Sequence, residues 1–205
     1  MTQPALLAAL VTTVGTIFVA ELTDKDALFL LALSTKTKPA VVFAAGSVAF
    51  VMTSAVIVAA GSLLIRLVPV FAIRLAGGAI MLAYAGLELS RLSRDARDAD
   101  EREERLLRRP APSPWSVFAP AVLTLVLLDL SGDATEVLTV VLLARFQDAL
   151  LVFAGAVVGL VAAVGVETAL GNRLARVLSP RRLRALSVVV FLAIGSAVIA
   201  TTLGA

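Results

Sequence analysis

Six apolar stretches divide the chain, at 4–35, 39–67, 70–89, 115–146, 149–170 and 185–203. A helix needs about 20 apolar residues to cross the hydrocarbon core of a bilayer. The pattern therefore predicts an all-α integral membrane protein with six transmembrane helices. The first and fourth stretches are too long for one straight span. At 1.5 Å per residue, 32 residues extend about 48 Å against a core of about 30 Å. Each must tilt, protrude or break.

Polar residues fall where those two stretches need relief. Near the middle of the first stands Glu21-Leu22-Thr23-Asp24-Lys25-Asp26, and near the middle of the fourth Asp129-Leu130-Ser131-Gly132-Asp133-Ala134-Thr135-Glu136. A charge at the bilayer centre costs at least about 2.5–3.5 kcal/mol on insertion scales, so such residues face a partner or a polar pathway. Backbone freed at that depth is tolerated only where protein buries it or it lines a cavity. One cluster in each half predicts a single shared site.

Composition agrees. Of 205 residues, 60% are hydrophobic and 16% charged, with mean hydropathy +0.98, whereas a soluble domain is about a quarter charged. Cysteine and histidine are absent, which excludes disulfides, Cys/His zinc sites and imidazole catalysis. The pI of 9.9 does not point to nucleic acid, because the basic residues flank the apolar stretches, where topology accounts for them. No basic region precedes the first stretch, which reads as a span and not as a signal peptide.

The segment 90–114 mixes acids with arginines and closes on three prolines, as a solvated connector would. It separates a first three-helix unit, 1–89, from a second, 115–205. A shift of 109 positions sets Asp24 on Asp133 and Gly46 on Gly155; one residue more sets Arg66 on Arg176 and Arg74 on Arg184. The two units read as a diverged duplication. The loops after spans 1, 3 and 5 hold fourteen basic residues and the opposite side only Arg66, Arg74 and Arg145. The positive-inside rule puts the linker in the cytoplasm and both termini outside. Three spans per unit make the repeats inverted, the arrangement of secondary transporters whose site lies near the midplane. The composition fits a bacterial plasma (inner) membrane, with the lipid bilayer as surroundings. The sequence leaves a homodimer open.

The clusters carry the chemistry. Glu21 and Asp24, three apart, would share a helix face, as would Asp133 and Glu136, with Asp129 on the same face as Asp133. With the hydroxyls of Thr23, Ser131 and Thr135 they form an oxygen-rich set suited to hard divalent cations. Carboxylates also take up protons when a cation leaves, so cation–proton exchange is the natural cycle. Lys25 neutralises a carboxylate or stands in for the cation; the plain alternative, at equal weight, is a salt bridge to Asp24 or Asp26. Glu167 reads as an interfacial or salt-bridged residue, and Gly77, Gly78, Gly155 and Gly159 as helix-packing positions.

The first cluster resembles the Glu-x-Gly-Asp-Lys/Arg-Thr/Ser signature of the transmembrane-protein-165 family of manganese and calcium exchangers, in the lysine-exporter superfamily. Glu21, Asp24 and Lys25 fit the first copy; Thr23 replaces the glycine and Asp26 the hydroxyl residue. Gly132, Asp133 and Thr135 fit the second; Leu130 replaces the glutamate and Ala134 the base, with Glu136 or Asp129 left to supply the lost acid. The resemblance implies six spans in two inverted halves and cation transport, with manganese or calcium as the family's ions; no resident cofactor is expected. Against it stand export of amino acids or other small solutes, for which Lys25 is the only anion-binding group in these clusters, and an intramembrane aspartyl protease built on Asp24 and Asp133. Lys25 and the surplus acids speak against the protease.

Overall fold

A chain in hydrocarbon must satisfy its backbone groups internally, and here it does so as helices. The computed structural model describes residues 3–23, 25–34, 37–94, 114–130, 134–177 and 180–204; several side chains within the helices, including those of Lys25, Asp26, 170–177 and 180–184, fall outside it. Among the described residues there is no strand. The helices are α1 (Gln3–Glu21), α2 (Lys25–Ser34), α3 (Pro39–Leu67), α4 (Val70–Arg94), α5 (Pro114–Asp129), α6 (Ala134–Phe146), α7 (Ala149–Val177) and α8 (Pro180–Leu203). Among the described residues, five hold an apolar run long enough to cross a bilayer: Gln3–Glu21, Pro39–Leu67, Val70–Ser90, Ala149–Ala169 and Ala185–Leu203. The protein is a multi-pass membrane protein. The expected span at 115–146 is divided into α5 and α6, of 16 and 13 residues, each shorter than an ordinary crossing.

Both overlong stretches break at their acidic clusters. α1 stops at Glu21, Leu22 and Thr23 form a turn, and α2 starts at Lys25. α5 stops at Asp129 and α6 starts at Ala134. α2 does not prolong the line of α1. Ile17 meets α7 at Gly159, whereas Leu30 and Val164 converge on Gly46. More than three turns of sequence have thus advanced little more than one turn along α7.

Short, locally determined loops fix the neighbouring directions. α3 and α4 are joined by Val68 and Pro69 alone, and the Val68 N–H still bonds to the Leu64 carbonyl at 2.9 Å. Between α6 and α7, Gln147 adopts φ 54°, the left-handed conformation that ends many helices. Asp148 then caps α7: the Leu151 N–H donates to its Oδ1 at 3.0 Å, as an N-cap acid should accept.

Small residues set the helix contacts. α1 runs parallel to α7, with Thr13 against Gly155 and Ile17 against Gly159. α4 and α8 are antiparallel: Gly78 faces Ile199, Gly195 faces Met81, and the Tyr84 and Phe191 rings lie 6.2 Å apart. α4 is also antiparallel to α6, because Gly77 meets Val141 while Arg74, nearer the start of α4, reaches the carbonyl of Ala144. α5 packs on α3 through Ala45, Val117 and Ala121. These glycines serve the packing role expected of them, since lipid-embedded helices associate by close approach and not by excluding water.

One core joins the two halves of the chain. Ile17, Leu30, Phe50 and Met81 from the first half and Leu125, Leu138, Val152 and Phe191 from the second are buried in a single cluster drawn from all eight described helices. Large apolar side chains such as Leu7, Val11, Phe71, Leu150 and Val189 point outward, as a lipid-facing surface requires. Several buried hydroxyls return to their own helix, Thr13 to the Ala9 carbonyl at 2.8 Å and Thr168 to that of Val164 at 2.7 Å, which satisfies them without a partner helix.

Candidate functional site

The end of α1 is the best-defined part of the site. A helix stopping inside a bundle leaves carbonyls without intrahelical donors, and hydroxyls supply them here. The Thr23 N–H bonds to the Ala20 carbonyl at 3.1 Å, tightening the last turn. Thr23 Oγ1 donates to that same carbonyl at 2.8 Å and to the Val19 carbonyl at 3.4 Å. The Thr23 carbonyl accepts from Ser187 Oγ of α8. Thr23 and Ser187 are both buried, so the end of α1 is enclosed by protein.

Glu21, the last residue of α1, is only 2% exposed. Its Oε2 accepts a hydrogen bond from Thr135 Oγ1 of α6 at 3.2 Å. This contact joins the first acidic cluster to the second, 114 residues away. Thr135 is itself buried, and its carbonyl accepts from Thr139 Oγ1 at 2.8 Å. Asp129, the last residue of α5, is buried as well.

Glu136 takes another direction. It follows Thr135 on α6, so about 100° of helix separates their side chains. Glu136 lines a groove of about 450 Å³ between α3, α4 and α6, with Leu64 and Val68 towards one end and Ile80 and Gly77 beside it. Apart from the carboxylate, the lining is apolar.

The breaks alter the face-sharing expected from the sequence. Glu21 ends its helix, so no helical face continues from it to 24. Asp129 ends α5 before α6 begins, so it shares no helix with Glu136. Tertiary packing, not i,i+3 or i,i+4 spacing, brings Glu21 to the second cluster. Asp24, Ser131 and Asp133 lie outside the described residues, as do the side chains of Lys25 and Asp26, which open α2. Among the described residues, no three acidic side chains form a metal-holding group.

Glu167 is fully buried on α7, two residues before the end of the apolar run Ala149–Ala169.

Arg74 is a structural neighbour of the second half. Its Nη2 donates to the carbonyls of Ala144 at 3.0 Å and Arg145 at 3.3 Å, capping the negative end of α6.

No curated protein and no solved structure matches the chain at a significant level. A family model does, over residues 9–95 and 114–204, the two stretches that flank the charged linker. That model describes the divalent cation/proton antiporter GDT1, a transporter family and not an enzyme family. With most of its length matched, an enclosed break at its first acidic cluster and a hydrogen bond from there to the second, the chain belongs to the GDT1 family of divalent cation/proton antiporters.

Proposed function

We propose that the protein exchanges Mn²⁺ or Ca²⁺ for protons, with a site built from the acidic clusters of both halves near the membrane midplane. The hydrogen bond from Thr135 to Glu21 carries this reading, because it brings the broken helix of one half to the broken helix of the other. Glu21 and Asp24 bind the cation from the first half, Asp133 with Glu136 or Asp129 from the second. Thr23, Ser131 and Thr135 add neutral oxygens, as a hard divalent cation prefers. Lys25 and Asp26 balance charge when the site is empty.

The depth is supported by Ile80, which lines the groove beside Glu136 and lies at the centre of Val70–Ser90. Six crossings are supported by helix direction. If α1–α2 and α5–α6 each cross once, α1 and α7 must run parallel and α4 and α8 antiparallel, as their contacts have them. An inverted repeat of 1–89 and 115–205 is supported by exchanged packing: α1 lies on α7 as α5 lies on α3. The family model's two matched stretches likewise leave only 96–113, within 90–114, between them.

In the proposed cycle the halves rock about the site and open the carboxylates alternately to each side. Protons compete with the cation and return the carrier. The basic residues of the loops after spans 1, 3 and 5 support a cytoplasmic 90–114 with both termini outside, in a plasma membrane. The test is Mn²⁺ and Ca²⁺ uptake into proteoliposomes under an imposed pH gradient. Gradient-driven uptake is expected for the wild type and not for Asp24→Asn. Folded wild-type protein that moves neither ion would end the proposal and favour solute export.

A further inference from the structure

α3 and α4 are joined by two residues, yet both lean on α6 and hardly touch each other. The gap between them is the groove of about 450 Å³ described above, within the usual range of a ligand pocket, about 300–1,000 Å³. Val137, Val140 and Val141 of α6 form its floor. Ile57, Leu64 and Val68 line it from α3, and Ile73, Ala76 and Ile80 from α4. Leu64, Ala76 and Ile80 are exposed, so the groove opens sideways, towards the hydrocarbon around a membrane span. From Ile57 to Val68, eleven residues on, is about 16 Å of helix. One leaflet of a bilayer core is about 15 Å deep, half of about 30 Å. The groove thus runs from near the middle of α3 and α4 to the loop that joins them, the depth of a single leaflet.

The loop end of the groove is positively charged. Residues 137, 141 and 145 are four apart and follow one face of α6, so Arg145 continues the floor that Val137 and Val141 begin. Its guanidinium lies 5.6 Å from the centre of the Phe146 ring, close enough for the ring face to hold a cation. Arg74 stands three residues before Gly77 and reaches the carbonyls of Ala144 and Arg145. Arg66, on the last turn of α3, adds a third charge at this end. Arg66 and Arg145 are exposed. Among the described residues no carboxylate pairs with any of the three arginines; Asp148, the acid closest to Arg145 in sequence, caps α7. Glu136 lies nine residues from Arg145, about 14 Å along α6, at the inner end of the groove.

We propose that this groove binds one anionic phospholipid, with an acyl chain between α3 and α4 and the phosphate at Arg145, Arg74 and Arg66. An apolar trough one leaflet long matches an acyl chain. Arginine forks match a phosphate, and three cations without carboxylate partners favour a headgroup of net negative charge over a zwitterionic one. A helix of a second copy, about 10–12 Å across with its side chains, is too thick to lie within the groove; a single acyl chain is not. The bound lipid braces α6, whose opposite face carries Thr135 to Glu21. The proposal requires a bilayer and no particular cargo, so it stands apart from the choice of transported ion.

The test is lipid binding by the full chain in detergent, read by native mass spectrometry and by melting temperature. The probes are phosphatidylglycerol and phosphatidylcholine with the same acyl chains. A basic residue near the headgroup is worth about fivefold in affinity for an anionic lipid. The wild type is therefore expected to hold one phosphatidylglycerol about twentyfold more tightly than phosphatidylcholine, from Arg74 and Arg145 together, and to melt higher with it. Arg145→Gln should narrow that preference about fivefold and leave phosphatidylcholine binding unchanged. Ala76→Phe, which fills the groove, should expel both lipids. Equal binding of the two lipids by the wild type would overturn the proposal. An undiminished preference in Arg145→Gln, or wild-type lipid binding by folded Ala76→Phe, would do the same. If Ala76→Phe does not fold, Arg145→Gln, a change at an exposed side chain, decides alone. A dimer that Ala76→Phe dissociates without changing lipid binding would assign the groove to a second copy and also overturn the proposal.

Discussion

Gly159→Ala tests whether the contact between α1 and α7 positions the site. A Cβ at 159 would stand 2.8 Å from the Val14 carbonyl oxygen, 3.2 Å from Ile17 Cβ and 3.2 Å from the Phe18 nitrogen. Two of the three are backbone atoms, so no rotamer change relieves the clash. Ordinary contact begins at 3.4 Å, and α1 must withdraw by the difference, about 0.6 Å. Overpacking of this kind costs about 1–3 kcal/mol, whereas glycine to alanine within a helix gains up to about 1 kcal/mol. The clash wins, and a net loss of about 1–2 kcal/mol is expected. The controls are Gly15→Ala and Gly86→Ala, where nothing lies within 4 Å and the propensity gain stands alone. Glu21 is one turn beyond Ile17, so it moves with α1. A 1 Å misplacement at a reacting centre can cost about a hundredfold, and by that measure transport should fall roughly tenfold. The assays are thermal unfolding in detergent and proton-driven Ca²⁺ or Mn²⁺ uptake. A Gly159→Ala protein that melts with the two controls and transports at the wild-type rate would refute the reasoning.

Other substitutions probe the remaining contacts. Thr135→Val removes the donor to Glu21 and should cost about 0.6–1.7 kcal/mol of stability, the measured span for interhelical hydrogen bonds in membranes; it should weaken apparent cation affinity, and Thr135→Ser should restore it. Arg74→Ala strips the cap from α6 and should lower the melting temperature by the equivalent of about 1 kcal/mol while leaving cation affinity unchanged; a change in affinity without a change in melting would contradict that assignment. Asp24→Asn and Asp133→Asn should each abolish transport while the protein still inserts and elutes as a folded species; wild-type flux in either removes that residue from the site. Ser187→Ala leaves the Thr23 carbonyl without its α8 donor and is expected to destabilise by about 1 kcal/mol, read from the same unfolding assay.

Much of the architecture was legible because a bilayer imposes simple rules. Apolar length alone placed the long helices, and the ends of α3, α4 and α8 fall where the stretches 39–67, 70–89 and 185–203 end or within a turn or so. Excess length announced that helices would end within these stretches, as α1 does at Glu21 and α5 at Asp129, since 32 residues exceed the thickness they must span. The acids were conspicuous for the same reason, because hydrocarbon makes every charge expensive. Family membership followed from short motifs around them.

The directions of side chains were not legible in this way. Helical spacing put Glu21 on one face with Asp24, but α1 ends at Glu21, and Thr135 of the other half is what meets it. Thr135 and Glu136 are adjacent in sequence and nearly alike in context, yet one faces Glu21 and the other an apolar groove. Glu167 stood near arginines and is wholly buried in the structure. The sequence by itself determined membrane insertion, the long apolar helices and the ends of α1 and α5 at the acidic clusters, since these depend on local composition and on the cost of burying charge. Only the tertiary structure decided which carboxylate meets which helix, because that depends on the rotation and register of α1 against α6 and α7, set by glycine contacts between segments more than a hundred residues apart.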